Sequence, residues 1–243
     1  MRLQHNDLAL GVGLGLLAGY IDTAGFVSLF GLFTAHVTGN FVLIGSELAR
    51  SSHGGVLLLK LLAIPAFAAG VVAARLTDQR CAARATNPAR PLLGMQLALL
   101  TGFMLAGLAA TPIGDPHALP VLVCGMLGAA AMGVQNAAGK LQFGRIAPTT
   151  VMTGNVTELL IDMTDLASGR ATPAVRTRFV KFFWPVLAFA LGCIGGGSAY
   201  VAFGFWCLLP ALVLLAWLTA VDWPTPAAAP GTGTGPTTAS APV

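Results

Sequence analysis

Charge is what this chain has least of. Asp, Glu, Lys and Arg make up 9% of its 243 residues, whereas a soluble domain carries about 25%. So few charges cannot clothe a water-facing surface, which argues against a soluble enzyme or binding domain. The net charge of +4 lies in short connectors between apolar runs, so it points to no nucleic-acid partner. Cysteine is scarce as well. Cys81, Cys124, Cys193 and Cys207 show no CxxC spacing and no neighbouring His, which argues against a zinc site or a disulfide framework. No HExxH, Walker sequence or Ser-His-Asp set is visible. The expectation is therefore not an enzyme, with no metal and no cofactor.

What the chain has in excess is apolar. Hydrophobic residues make up 56% of it and the mean hydropathy is +0.79. Its expected partner is the lipid bilayer. A helix needs about 20 apolar residues to cross roughly 30 Å of hydrocarbon. Six stretches reach that length: 8–30, 55–75, 91–112, 118–140, 179–200 and 202–222. Arg2 followed by an apolar run resembles a signal peptide. No small-x-small cleavage site follows, and the apolar character continues to Leu48, so the first stretch reads as an uncleaved span. Residues 224–243, "PTPAAAPGTGTGPTTASAPV", have no charge and no period and read as a disordered tail.

Two shorter apolar stretches, 35–49 and 148–164, carry the same polar tripeptide. The first lies in "TAHVTGNFVLIGSELAR" with Thr38, Gly39 and Asn40, the second in "TTVMTGNVTELLIDMTD" with Thr153, Gly154 and Asn155. The order of parts repeats: long span, Thr-Gly-Asn segment, long span, long span. "GYIDTAG" (19–25) aligns with "GVQNAAG" (133–139), which sets Asp22 opposite Asn136 and Gly25 opposite Gly139. One inserted residue brings the tripeptides into coincidence and Glu47 opposite Asp162; Pro65 and Pro185 mark the next span. The predicted division is a first repeat over 1–113, a second over 114–223 and the tail.

Basic residues decide whether the short segments cross. Arg75 to Arg90, Lys140 with Arg145, and Arg170 to Lys181 all fall on one side only if each short segment dips in and returns. The connector 112–118 has no Lys or Arg and then lies on the other side, with Arg50 and His53 as minor exceptions. Each repeat then has three crossings, so the second is inverted relative to the first, as in many secondary transporters. The expected fold is an all-α membrane protein of six transmembrane helices and two re-entrant half-helices in the bacterial inner membrane, with both termini cytoplasmic.

A turn inside the membrane leaves backbone groups that lipid cannot satisfy, so it must face protein or a water-filled cavity. Gly39 and Gly154 ease the turn. Thr38, Asn40, Thr153 and Asn155 offer caps to the helix that follows. Two helix starts converging near the midplane would make a site for a polar or anionic group; the plainer alternative is that the tripeptides only cap. Gln135 and Asn136 join them as candidate solute ligands. Asp22, expensive inside a membrane, is a candidate for proton or cation coupling, with a hydrogen bond to Gln135 or Asn136 as the structural alternative. His36 would add a second titrating group. Glu158, Asp162 and Asp165 share one helical face, as a cation path or as partners of Lys140, Arg145 and Arg170. Gly11, Gly15 and Gly19, and Gly192 with Gly196, form close-packing faces, either within the subunit or at a homodimer contact.

"GYIDTAGFVSLFGLFTAHVTGNFVLIG" and "AAAMGVQNAAGKLQFGRIAPTTVMTGNVTELL" together resemble the YoaK-like family of small bacterial membrane proteins, a domain of unknown function. The resemblance covers the chain except about its last twenty residues. It implies a permease-like inner-membrane protein and carries no substrate. The reading is a secondary transporter of a small polar or anionic solute, with proton coupling as an option. A small channel of the same architecture, or a non-transporting membrane partner or assembly protein, are the alternatives.

Overall fold

The computed structural model describes residues 5–49, 55–221 and 223. Among them all regular structure is helical: α1 (His5–Ser28), α2 (Val37–Ala49), α3 (Leu57–Ala83), α4 (Ala89–Ala110), α5 (Leu119–Leu141), α6 (Met152–Ala167), α7 (Pro173–Phe203) and α8 (Leu208–Ala220), with a 3₁₀ turn at Gly204–Cys207. Helices satisfy every interior backbone group within the segment, which hydrocarbon demands. Five helical segments are long and apolar enough to cross a membrane; the last, Pro173–Ala220, contains both α7 and α8. Large apolar side chains stay exposed on the outside, among them Val42, Ile194, Val201, Val213 and Trp217. A surface of that kind suits lipid rather than water.

Two helices run beyond their expected ends. α3 continues through Arg75 and Arg80 to Ala83, where Arg75 pairs with Asp78 at 2.8 Å. α7 starts at Pro173, with the Thr172 hydroxyl accepting from the Val175 N–H. Both extensions are polar turns beyond the apolar length, held by good helix formers and a cap rather than by lipid.

Side-chain contacts give the helix directions. α1 and α7 run parallel: Gly15 lies on Pro185, Gly19 on Phe189 and Tyr20 on Gly196. α3 and α5 run parallel, with Leu59 at Gly125, Phe67 at Gly133 and Asp78 at Gln142. α5 opposes α1, since Leu29 reaches Gly125 while Gln135 bonds the Leu14 carbonyl. α4 opposes α5, with Phe103 by Cys124 and Gln96 by Gln135. α8 opposes α1, with Tyr20 at Cys207 and Gly13 at Leu218. The chain therefore reverses at Gly204, whose φ is +57°, a backbone setting that favours glycine. In chain order α1, α3, α4, α5, α7 and α8 alternate in direction. Each short helix, α2 or α6, joins two long helices at one end of the bundle. The end where α1 stops is called upper below.

Two crossings are tight enough to need glycine. A Cβ on Gly70 would sit 2.1 Å from the Ala130 carbonyl oxygen, and one on Gly192 would sit 2.2 Å from that of Leu16. Reciprocally, Gly133 faces the Phe67 oxygen and Gly19 the Phe189 oxygen, both at 2.2 Å. The two α1–α7 and α5–α3 contacts thus use matching residues, with Phe67 matched to Phe189 and Gly70 to Gly192. Pro65 and Pro185 fall two residues out of that register, so they are not equivalent landmarks. The glycine faces of α1 and α7 meet each other inside the subunit and are not free for a second copy.

Candidate functional site

Asp22 lies on α1 six residues below its upper end and is 4% exposed. Its carboxylate accepts from the N–H groups of Thr34 and Ala35, both at 2.7 Å, from the Thr34 hydroxyl at 3.3 Å and from His36 Nδ1 at 2.7 Å. The loop between α1 and α2 bends down to reach it, and α2 then climbs back. A buried carboxylate is tolerable only with such a set of donors. None of them is Gln135 or Asn136; the partners come from the same repeat. His36 is half-buried, with its ring edge against Phe189 at 5.4 Å. Asp22 and His36 are thus joined by one short hydrogen bond, between Oδ2 and Nδ1 at 2.7 Å.

The lower polar cluster is built from amides. Gln135, 1% exposed, donates through Nε2 to the Leu14 carbonyl at 2.9 Å and to the Thr149 hydroxyl at 3.1 Å. Its Oε1 accepts from Gln96 Nε2 at 2.7 Å. A backbone carbonyl only accepts, so it fixes which way Gln135 points, and Gln135 in turn fixes Gln96. Gln96 Oε1 is left buried without a partner. Gln96, a lone amide in the apolar "PLLGMQLALL", was not among the expected site residues; its polarity inside a span was the signal. Asn136 is half-buried on the adjacent face of α5.

The tripeptides do something other than cap. α2 starts at Val37 and α6 at Met152, so both triplets lie inside the first helical turn, and Val151 ahead of α6 makes no side-chain cap bond. Asn40 is fully buried and clamps Phe33, accepting from its N–H at 3.0 Å and donating to its carbonyl at 2.8 Å. Asn155, 2% exposed, donates to the Pro148 carbonyl. Proline has no N–H, so the second clamp has one bond where the first has two. Each amide fastens its helix to the loop seven residues before it. Gly39 packs on the Phe33 ring, while Gly154 is exposed, as are Thr38 and Thr153. The two clusters are not at one depth. Asp22 and Leu14, the α1 anchors of the upper and lower clusters, are eight residues apart, or about 12 Å along the helix.

Ion pairs bind each short helix to the next long one. Glu47 of α2 meets the buried Lys60 of α3 at 3.6 Å. Asp162 of α6, fully buried, takes both Arg178 Nε and Nη2 of α7, and Glu158 lies 3.9 Å from the same guanidinium. Asp165 pairs with Arg170 at 3.6 Å and Arg145 with Asp7 at 3.6 Å. The acidic face of α6 thus neutralises Arg178, which the sequence reading had not paired with it.

These helices, apolar outside and knotted around a buried carboxylate within, match a family model described as "Protein of unknown function (DUF1275)" over residues 10–221. The chain belongs to the DUF1275 family. It is also 34% identical over 151 residues to the "UPF0700 transmembrane protein YoaK" of Bacillus subtilis (strain 168), a match covering 62% of this chain and 64% of that protein, less than two thirds of its length. No solved structure matches. The DUF1275 chain is accordingly a multi-pass membrane protein, as the YoaK resemblance implied.

Proposed function

We infer that the protein is a secondary transporter of a small polar or anionic solute, built as two inverted repeats of three spans and one re-entrant half-helix. The observation that carries this reading is the matched pair of glycine crossings, Gly70 on Ala130 and Gly192 on Leu16. They pack the first helix of each repeat on the third helix of the other, while α1 and α5 touch only lightly. The α1–α7 and α3–α5 units meet lightly at α1–α5 and again where α4 packs on α8 and Phe205, and units of this kind can rock against each other, the usual basis of alternating access. The alternating helix directions support six spans, and the return of α2 and α6 to the end they left supports re-entry. Lys140, Arg145, Arg170, Arg176 and Arg178 lie at the lower end, which the positive-inside rule puts in the cytoplasm together with both termini. Asp22 with His36 supplies the proton site.

The test is uptake into liposomes holding the purified protein. Saturable, pH-gradient-driven uptake of a solute is expected. Non-saturable flux indifferent to the gradient would make it a channel, and no flux of any solute tried would favour a non-transporting partner.

A further inference from the structure

The carboxylates that α7 meets on α6 lie on one side of it, where Arg178 takes Asp162 and Glu158. Arg176 is two residues from Arg178, which turns it about 200° around the helix and away from α6. Its side chain is exposed, and among the described residues it makes no ion pair or hydrogen bond. Lys181 is half-buried and stands about 140° around the helix from Arg176, at the edge facing α1. Its neighbours are the Phe182 ring, 5.9 Å from Nζ, and the Asp7 carboxylate, which already pairs with Arg145 at 3.6 Å. One carboxylate thus serves two cations there, and Arg176 has none, so this arc of α7 keeps a positive charge.

Between the two cations the helix turns Thr177, Val180 and Trp184 outward. Trp184 is 47% exposed and lies about 12 Å along the helix from Arg176, toward the middle of the span. Its ring is held in place: Phe183 meets it edge-on at 5.1 Å, and Phe179 stacks on Phe183 at 5.4 Å. Beyond Trp184 the same face is apolar and exposed through Leu187, Leu191 and Ile194. From the lower end inward the order is cations, tryptophan, hydrocarbon. A phospholipid has the matching order of phosphate, glycerol and acyl chains. Tryptophan settles at the headgroup boundary, a lysine stem covers apolar surface while its ammonium reaches the polar layer, and basic sites at this depth attract anionic headgroups.

We propose that this face of α7 holds an anionic phospholipid of the leaflet at the lower end, with the headgroup phosphate between Arg176 and Lys181 and an acyl chain along Trp184, Leu187 and Leu191. A zwitterionic headgroup brings a cation of its own, which the two basic residues repel, so net negative charge is what the site selects. The proposal depends only on the protein crossing a membrane and stands whether or not it transports a solute.

The test uses the full-length protein in phosphatidylcholine nanodiscs that carry a minor share of brominated phosphatidylglycerol or, at the same share, brominated phosphatidylcholine. Bromine on an acyl chain quenches a tryptophan that it touches, and Trp184→Phe gives the Trp184 signal by difference. Each cation beside an anionic headgroup contributes about fivefold, so Trp184 should prefer phosphatidylglycerol about 25-fold, and Arg176→Gln and Lys181→Gln should each lower that preference about fivefold. Lys181→Arg should keep it, and so should Arg170→Gln, because Arg170 already has Asp165. Arg176 is exposed and pairs with nothing described, so its variant decides the matter if Lys181→Gln does not fold. Equal quenching by the two lipids would overturn the proposal, as would a preference that survives Arg176→Gln and Lys181→Gln together, or a loss as large in Arg170→Gln. Removal of the preference by sodium phosphate, but not by sodium chloride of equal ionic strength, would also overturn it, by making the pair a site for free phosphate.

Discussion

Asp22 and the two asparagines show how differently residues of one motif behave. Asp22 holds three donors and an imidazole, so its carboxylate is compensated where it stands. Asp22→Asn keeps the shape and loses the charge. It should abolish dependence of uptake on the pH gradient and lower stability by about 1–3 kcal/mol, since the amide's N–H₂ group cannot accept from the donors it would face. Uptake and melting temperature both unchanged would refute the assignment. Asn40 and Asn155 are clamps, and the number of bonds ranks them. Asn40→Ala removes two buried bonds to Phe33 and leaves its N–H and carbonyl unpaired, which should cost about 2–3 kcal/mol. Asn155→Ala removes one bond to the backbone and should cost about 1 kcal/mol. Denaturation of the two variants side by side checks the order, and equal losses would contradict it.

Among elements, the crossings and the hairpins are separable. Gly70→Ala or Gly192→Ala would drive a methyl group into a carbonyl oxygen, so the helices must part and the melting temperature should fall by several degrees or more. Gly139→Ala meets nothing and should leave it within about a degree, since a substitution that neither clashes nor opens a cavity is usually near neutral. Thermal unfolding in detergent distinguishes the sets. The all-helical, membrane-crossing character and the two short helices were legible in the sequence because apolar length survives without tertiary information. The site was legible only in part. Asp22, His36 and Gln135 stood out as polar residues in apolar runs, but which of them would touch depended on how far the loops at 29–36 and 142–151 fold back. Nothing in a one-dimensional pattern distinguishes an asparagine that caps its own helix from one that clamps a residue seven positions earlier. Lys60 and Gln96 sit in spans that hydropathy averages over, so they were passed by. Expectations for Arg50, His53 and the tail fall outside the described residues.

At the scale of the whole molecule, inversion is the claim on which transport and coupling depend. If the second repeat were not inverted, α2 and α6 would enter from the same side, and the Asp22 cluster and the α6 start could not be opposite halves of one pathway. The α3–α4 and α6–α7 connectors together distinguish the cases: the first follows an even number of crossings only if α2 re-enters, and, given that, the second does so only if α6 re-enters. Arg170 in that connector pairs with Asp165, near the lower end with Arg178. Reporter fusions in a bacterial cell, truncated after residues 86, 115 and 170, read the side of each connector directly. The account predicts cytoplasmic signals at 86 and 170 and an external signal at 115; an external signal at 86 or at 170 would mean that a short helix spans the membrane and would contradict the inverted repeat.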